Sequence, residues 1–144
     1  MQILKLRKED LKRAYEVLKE LRTTLEYEEF IETLEIMQDE QNYTMFGLWD
    51  KGKIQSYAGV EIQTNLYWKR HLFIHDLVTK SSSRDNGYGK QMIDFLNDYA
   101  KMHKCENIAL TSGSQRKDAH RFYEREGFDK PGFVFLKYLD IKKD

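Results

Sequence analysis

Apolar positions along the chain change period several times, and each change marks an element. Residues 3–6 read as a short opening strand. Asp10 then stands where a helix cap is expected, ahead of Leu11, Ala14, Tyr15, Leu18 and Leu21, whose spacing puts all five on one face. A second helix is predicted over residues 27–39: Phe30, Ile31, Leu34 and Met37 form its apolar stripe, and Glu26, Glu28, Glu29, Glu32 and Glu35 take the rest of the surface. The period then falls to two or to short apolar runs at 43–49, 54–62 and 72–79, with an Asp50-Lys51-Gly52 turn after the first, which predicts antiparallel strands. Beyond the polar stretch 80–86, Met92, Ile93, Leu96 and Ala100 mark a helix over 88–103, followed by a strand at 107–111. A last helix over 118–126 carries Ala119, Phe122 and Tyr123 on one face and stops at Gly127, and a final strand is expected at 133–139. The order β-α-α-β-β-β-α-β-α-β is that of an α+β or mixed α/β domain, with hairpins first, crossover helices second and helices on both faces of a mixed sheet.

Composition narrows this picture. A chain of 144 residues with 40% hydrophobic positions suits a single domain, residues 1–144, able to bury a core without disulfides. Lys and Arg total 24, as do Asp and Glu, so the formal charge is zero and the broad basic surface of a general nucleic-acid binder is missing. One cysteine, Cys105, allows neither an internal disulfide nor a thiolate metal cluster, and no zinc pattern can be composed from the histidines; no metal is expected. No apolar run approaches the length of a membrane span, and the first residues become charged before a signal-like core forms, which predicts a cytoplasmic location.

The stretch 79–90, T-K-S-S-S-R-D-N-G-Y-G-K, joins a predicted strand to a predicted helix through Gly87 and Gly89. The first turn of a helix presents N–H groups without intrahelical partners at the positive end of the helix dipole, and glycines let an anion approach that backbone closely. A phosphate-binding NTPase loop would need Gly at Arg84 and Ser or Thr at Gln91, and a dinucleotide fingerprint would need a small residue at Met92 and an early strand. Neither motif fits.

Arg84-Asp85-Asn86-Gly87-Tyr88-Gly89 does resemble the [RQ]-x-x-G-x-[GA] signature of the GNAT superfamily of N-acetyltransferases. The surroundings agree: a strand ending Leu77-Val78-Thr79 upstream, an amphipathic helix downstream, a strand at 108–111, and then 119–128, which is similar to the family's A-x-x-[FL]-Y-x-x-x-G-F segment. The resemblance implies a central mixed, mostly antiparallel sheet of six or seven strands flanked by about four helices. It also implies acetyl-CoA as co-substrate, held where two parallel strands splay apart. Carried over by position, the diphosphate would meet Arg84, Asn86, Gly87, Tyr88, Gly89 and Lys90, and the pantetheine arm would run along Leu77, Val78 and Thr79. Two departures stand out. Arg116 replaces an Asn that touches the pantetheine arm in many members, leaving Ser112 or Ser114 to substitute, and the chain after Gly127 has room for one strand or a very short pair.

The implied reaction is direct attack of a neutral primary amine on the thioester, with the oxyanion held by a main-chain N–H near Val78 and no acyl-enzyme. Cys105 then has no nucleophilic role and reads as a small buried hydrophobe. Tyr123 aligns with the tyrosine that protonates the departing thiolate, although an aromatic at helical spacing also packs. Its reference pKa of ~10 against ~8.5 for a thiol makes the transfer uphill by about 2 kcal/mol before the environment acts. Asp76, His75 and Glu61 are the candidates for proton acceptor. On a regularly alternating strand His75 and Asp76 point to opposite faces, so at most one would look into the gap.

For the acceptor, the Lys-free and Arg-free run 26–40 reads first as a solvated helix face, and it would also attract a cationic amine such as a polyamine, an aminoglycoside or a lysine-containing peptide. The hairpin end 66–70, Leu-Tyr-Trp-Lys-Arg, is a binding lip, a homodimer contact or an ordinary turn. Two other functions fit the same chain: an acyl-CoA sensor without turnover, and an acetylator of tRNA or a ribosomal protein using a local patch of Arg116, Lys117, Arg121 and Arg125.

Overall fold

A computed structural model describes residues 1–113 and 115–141. Residues 1–110 form one compact unit and the chain from Thr111 onward a second. In the first, β1 (Gln2–Lys5), α1 (Leu11–Leu18), α2 (Tyr27–Gln41), β2 (Thr44–Asp50), β3 (Lys53–Asn65), β4 (Lys69–Thr79), α3 (Tyr88–Met102) and β5 (Asn107–Leu110) follow the predicted order. The sheet runs β1-β2-β3-β4-β5, antiparallel up to β4 and parallel between β4 and β5. Period-two alternation feeds both of its faces. Met45 and Tyr57 join Ala14, Val17, Leu18, Phe30 and Leu34 in the core beneath α1 and α2. Phe46, next to Met45, turns the other way and meets Phe95 and Tyr99 of α3 with ring centroids 4.9 and 5.1 Å apart.

Several local outcomes differ from the pattern-based expectation. Asp10 accepts the Arg7 N–H at 2.8 Å and so closes the 3-10 turn Lys8–Asp10 rather than capping α1. α1 stops at Leu18, and Leu21 reaches the core from the segment beyond it. α2 runs on to Gln41 and ends at Asn42, a left-handed residue (φ 55°, ψ 39°) whose N–H bonds the Met37 carbonyl; this reversal sends the next residue, Tyr43, into the core.

Two differences are larger. The β3–β4 register pairs Gly59 with Asp76 but Val60 with Ile74, leaving His75 as the extra residue of a β-bulge. The alternation that would separate His75 from Asp76 is broken there. In the second unit, α4 (Lys117–Arg125) is present, but residues 129–141 carry no strand, so the described sheet has five strands where six or seven were expected. Phe133, Phe135 and Tyr138 are almost fully exposed. An apolar run supplies strand propensity, but a strand also needs an edge to pair with, and local sequence does not specify one.

Candidate active site

Gly87 sits at the mouth of α3 with φ +77°, a left-handed conformation that favours glycine, and a Cβ there would project into open space, its nearest neighbour being Gln91 Nε2 at 3.9 Å. The first bond of the helical ladder is Gln91 N–H to the Gly87 carbonyl at 3.1 Å, so the amides of Tyr88 and Gly89 lie ahead of it. Asn86 closes the loop on itself by donating Nδ2–H to the carbonyls of Ser83 and Arg84 at 2.9 and 3.3 Å. Ser83 Oγ donates to Gln55 Oε1, and Lys80 N–H to the Gln55 carbonyl at 2.9 Å, which ties the loop to β3. Arg84 and Lys90 are both exposed, with Lys90 Nζ 3.5 Å from Asp94. A left-handed glycine with open space before it, amides ahead of the helical ladder and flanking cations make a donor set that fits a diphosphate.

Tyr88 contributes through its backbone. Its side chain is buried and its hydroxyl donates to Asp50 Oδ2 at 2.6 Å, pinning the start of α3 to the end of β2. That bond is the main reason the Asp50 carboxyl is held below its usual range, and it raises the Tyr88 hydroxyl in return. Asp50 was legible only as a turn residue, because its partner lies 38 positions away.

β4 leads from this loop to a second group of polar residues. β5 pairs with β4 only from His71 to Ile74, so the edge of β4 from His75 to Thr79 runs on beyond β5. The Lys80-to-Gln55 bond fixes which groups face which way: alternation turns the main-chain groups of Val78 toward β3, in accord with the Ser56 Oγ bond to the Val78 carbonyl, and those of Leu77 and Thr79 toward the open edge.

At the far end of that edge the bulge brings His75 and Asp76 onto one wall. Both line a cavity of about 590 Å³ together with Leu21, Arg22, Glu29 and Tyr43. His75 Nε2 lies 2.9 Å from Glu61 Oε1, which also accepts Gln41 Nε2–H at 3.0 Å. In the neutral ring the Nε2 proton goes to that carboxylate and Nδ1 keeps its lone pair. Asp76 has both oxygens engaged, Oδ1 by Arg22 Nε at 2.8 Å and Oδ2 by the Tyr43 hydroxyl at 2.6 Å. The structure therefore unites all three candidate proton acceptors and gives them different surroundings. It adds Tyr43, Tyr57 and Arg22, which sequence reasoning missed because none belongs to a local motif.

In the second unit, α4 ends in a Schellman motif: Phe128 N–H bonds the Tyr123 carbonyl at 3.0 Å and Gly127 N–H, at φ +96°, bonds the Glu124 carbonyl at 3.1 Å. The rings of Tyr123 and Phe128 pack edge to face, 5.8 Å apart. Spacing of tyrosine, glycine and phenylalanine in the 119–128 segment is thus the spacing of a helix stop. Ser112 lies ahead of α4 with its hydroxyl lacking a hydrogen-bond partner among the described residues, Arg116 stands at the helix N-cap, and Ser114 lies outside the described residues. Cys105 is partly buried, and burial pushes its thiol upward, away from nucleophile chemistry.

A model of the Acetyltransferase (GNAT) family matches residues 8–128, spanning the loop, the open strand edge and α4. The chain belongs to the GNAT acetyltransferase family. Among relatives of this acetyltransferase, the uncharacterized N-acetyltransferase YhdJ of Bacillus subtilis is 37% identical over 132 residues, 92% of this chain and 90% of its own. The fold recurs in a transcriptional regulator from Bacillus halodurans, with a TM-score of 0.84 at 23% identity, covering 96% of this chain and 99% of that one. It recurs again in the aminoglycoside N-acetyltransferase AAC(6')-Iy in complex with CoA, with a TM-score of 0.83 at 16% identity, covering 97% and 95% of the two chains.

Proposed function

We propose that this GNAT acetyltransferase moves the acetyl group of acetyl-CoA directly to a primary amine of a small molecule or peptide. The observation that carries the proposal is the course of β4: one edge, unpaired among the described residues, connects the amide cradle at Gly87 to the cavity that holds His75 and Asp76. Acetyl-CoA supplies an activated acyl group and a thiolate leaving group. The chain's own residues do the rest. Amides of Tyr88 and Gly89, with the side chains of Arg84 and Lys90, hold the diphosphate. The outward main-chain groups of Leu77 and Thr79 pair with the pantetheine arm, and an N–H of that edge faces the oxygen on which negative charge develops. Ser112 is a further hydroxyl for the arm.

His75 is the proton acceptor in this scheme. Glu61 fixes the ring through Nε2 and leaves Nδ1 for the acceptor amine, whereas Asp76 already serves Arg22 and Tyr43. Tyr123 returns a proton to the thiolate. Glu29 and Asp76 in the cavity wall, and the exposed acidic surface of α2, favour an amine that arrives cationic. Release of CoA from acetyl-CoA with a panel of amines, lysine-containing peptides and tRNA tests the function. Release with at least one amine, reduced in His75→Gln by roughly 10²- to 10⁴-fold, is expected. Binding of acetyl-CoA with no release for any acceptor would make the protein a sensor instead.

A further inference from the structure

Tyr43 lies in space that the lack of a side chain at Gly59 leaves open. Its ring lies across β3 over Gly59, where a Cβ would stand 1.6 Å from the Tyr43 hydroxyl oxygen and 2.2 Å from Cζ. No larger residue at 59 is compatible with the ring in this position. Gly59 is also the register partner of Asp76, next to the bulge, so the missing side chain lets the hydroxyl cross β3 and reach the carboxylate on β4. That hydroxyl has a single proton, and it goes to Asp76 Oδ2; the 2.8 Å contact with the Tyr57 hydroxyl is therefore donated by Tyr57. Tyr57 is fully buried and Tyr43 nearly so, and burial above all, with Tyr57 and Asp76 close by, keeps the Tyr43 proton in place. The chain of donation runs one way: Tyr57 to Tyr43 to Asp76.

Asp76 passes this order on. Its other oxygen receives Arg22 Nε–H at 2.8 Å, and Arg22 donates a second bond to the His75 carbonyl, also at 2.8 Å. Arg22 belongs to the connection between α1 and α2, whose residues Leu21 to Leu25 line the cavity. A half-exposed arginine paired with a mobile carboxylate contributes little by itself. Here the carboxylate is 13% exposed and anchored by a charge-assisted bond from a buried hydroxyl, which makes Arg22 a tether instead.

We propose that Tyr43 is a positioning residue: by fixing the Asp76 carboxylate it holds Arg22, and with it the α1–α2 connection, as the wall of the cavity that receives the acceptor. The kinetic consequence rests on the acetyltransferase function proposed above; the structural consequence does not. Amide hydrogen exchange decides the latter. In Tyr43→Phe, which keeps the ring and removes the donor, exchange at Leu21, Arg22 and Leu25 should quicken roughly tenfold, while the amides of 96–100 in α3 keep their wild-type rates. Gly59→Ala, which displaces the ring, should reproduce the effect; if it fails to fold, Tyr43→Phe alone decides. Unchanged exchange at the three amides would overturn the proposal. With whichever amine the wild type turns over best, Tyr43→Phe should raise KM about tenfold and leave the acetyl-CoA Kd within about twofold. Faster exchange with an unaltered amine KM would overturn the acceptor role, and a wild type that acetylates no amine would refute the proposed function while leaving the exchange result intact.

Discussion

Tyr123 shows how one residue serves two purposes that a single substitution can separate. As the residue that closes the Schellman motif with Phe128 it packs, and packing survives Tyr123→Phe. As the proposed donor to the thiolate it needs its hydroxyl. Tyr123→Phe is therefore expected to keep the melting temperature within a few degrees and the acetyl-CoA Kd within about twofold, while steady-state turnover falls roughly ten- to a thousandfold. Unchanged turnover would leave Tyr123 with packing alone. His75 differs in kind: its position at a bulge turns it toward the same cavity as Asp76, and Glu61 then sets its tautomer.

At the scale of elements, the mouth of α3 is held by a bond between side chains far apart in sequence. Because the Tyr88 hydroxyl keeps the Asp50 carboxyl below its ordinary value, this contact stabilises the fold fully above about pH 5 and loses its effect as pH falls past the unfolded value near ~3.9 toward the lower native one. Thermal melts of wild type and Asp50→Asn between pH 6 and pH 3 should start apart and converge on the acid side; a constant gap would mean the Asp50 charge is not what Tyr88 stabilises. The stop of α4 offers a second case. Gly127→Ala places a Cβ at φ +96° and is expected to lower stability by about 1 kcal/mol, read from urea denaturation followed by α4 signals. These elements were legible because their causes are local: apolar spacing drew α2 and α3, and a glycine after a periodic run drew the end of α4. The glycine pair of the loop was legible for the same reason. What escaped depends on register between distant segments. Neither the bulge that turns His75 beside Asp76, nor the Asp50–Tyr88 bond, nor the fit of Tyr43 over Gly59 leaves a mark in any window of ten residues. The last predicted strand has no counterpart among the described residues: the run at 133–139 has strand propensity but pairs with no strand of the sheet.

At the scale of the molecule, the first unit carries both the amides at the mouth of α3 and the cavity proposed to receive the acceptor, and the second carries Tyr123 and Ser112. Zero net charge and an acidic surface on α2 leave attraction of the CoA diphosphate to local geometry rather than to a broad basic field. In the proposed function it is the left-handed glycine before α3 that opens the backbone to that diphosphate. Isothermal titration of acetyl-CoA into wild type and Gly87→Val, with circular dichroism confirming that both are folded, is the deciding measurement. A β-branched side chain at φ +77° both strains the turn and fills the approach, so affinity should fall at least roughly tenfold. A folded Gly87→Val protein that binds acetyl-CoA as tightly as the wild type would show that the ligand is held somewhere else.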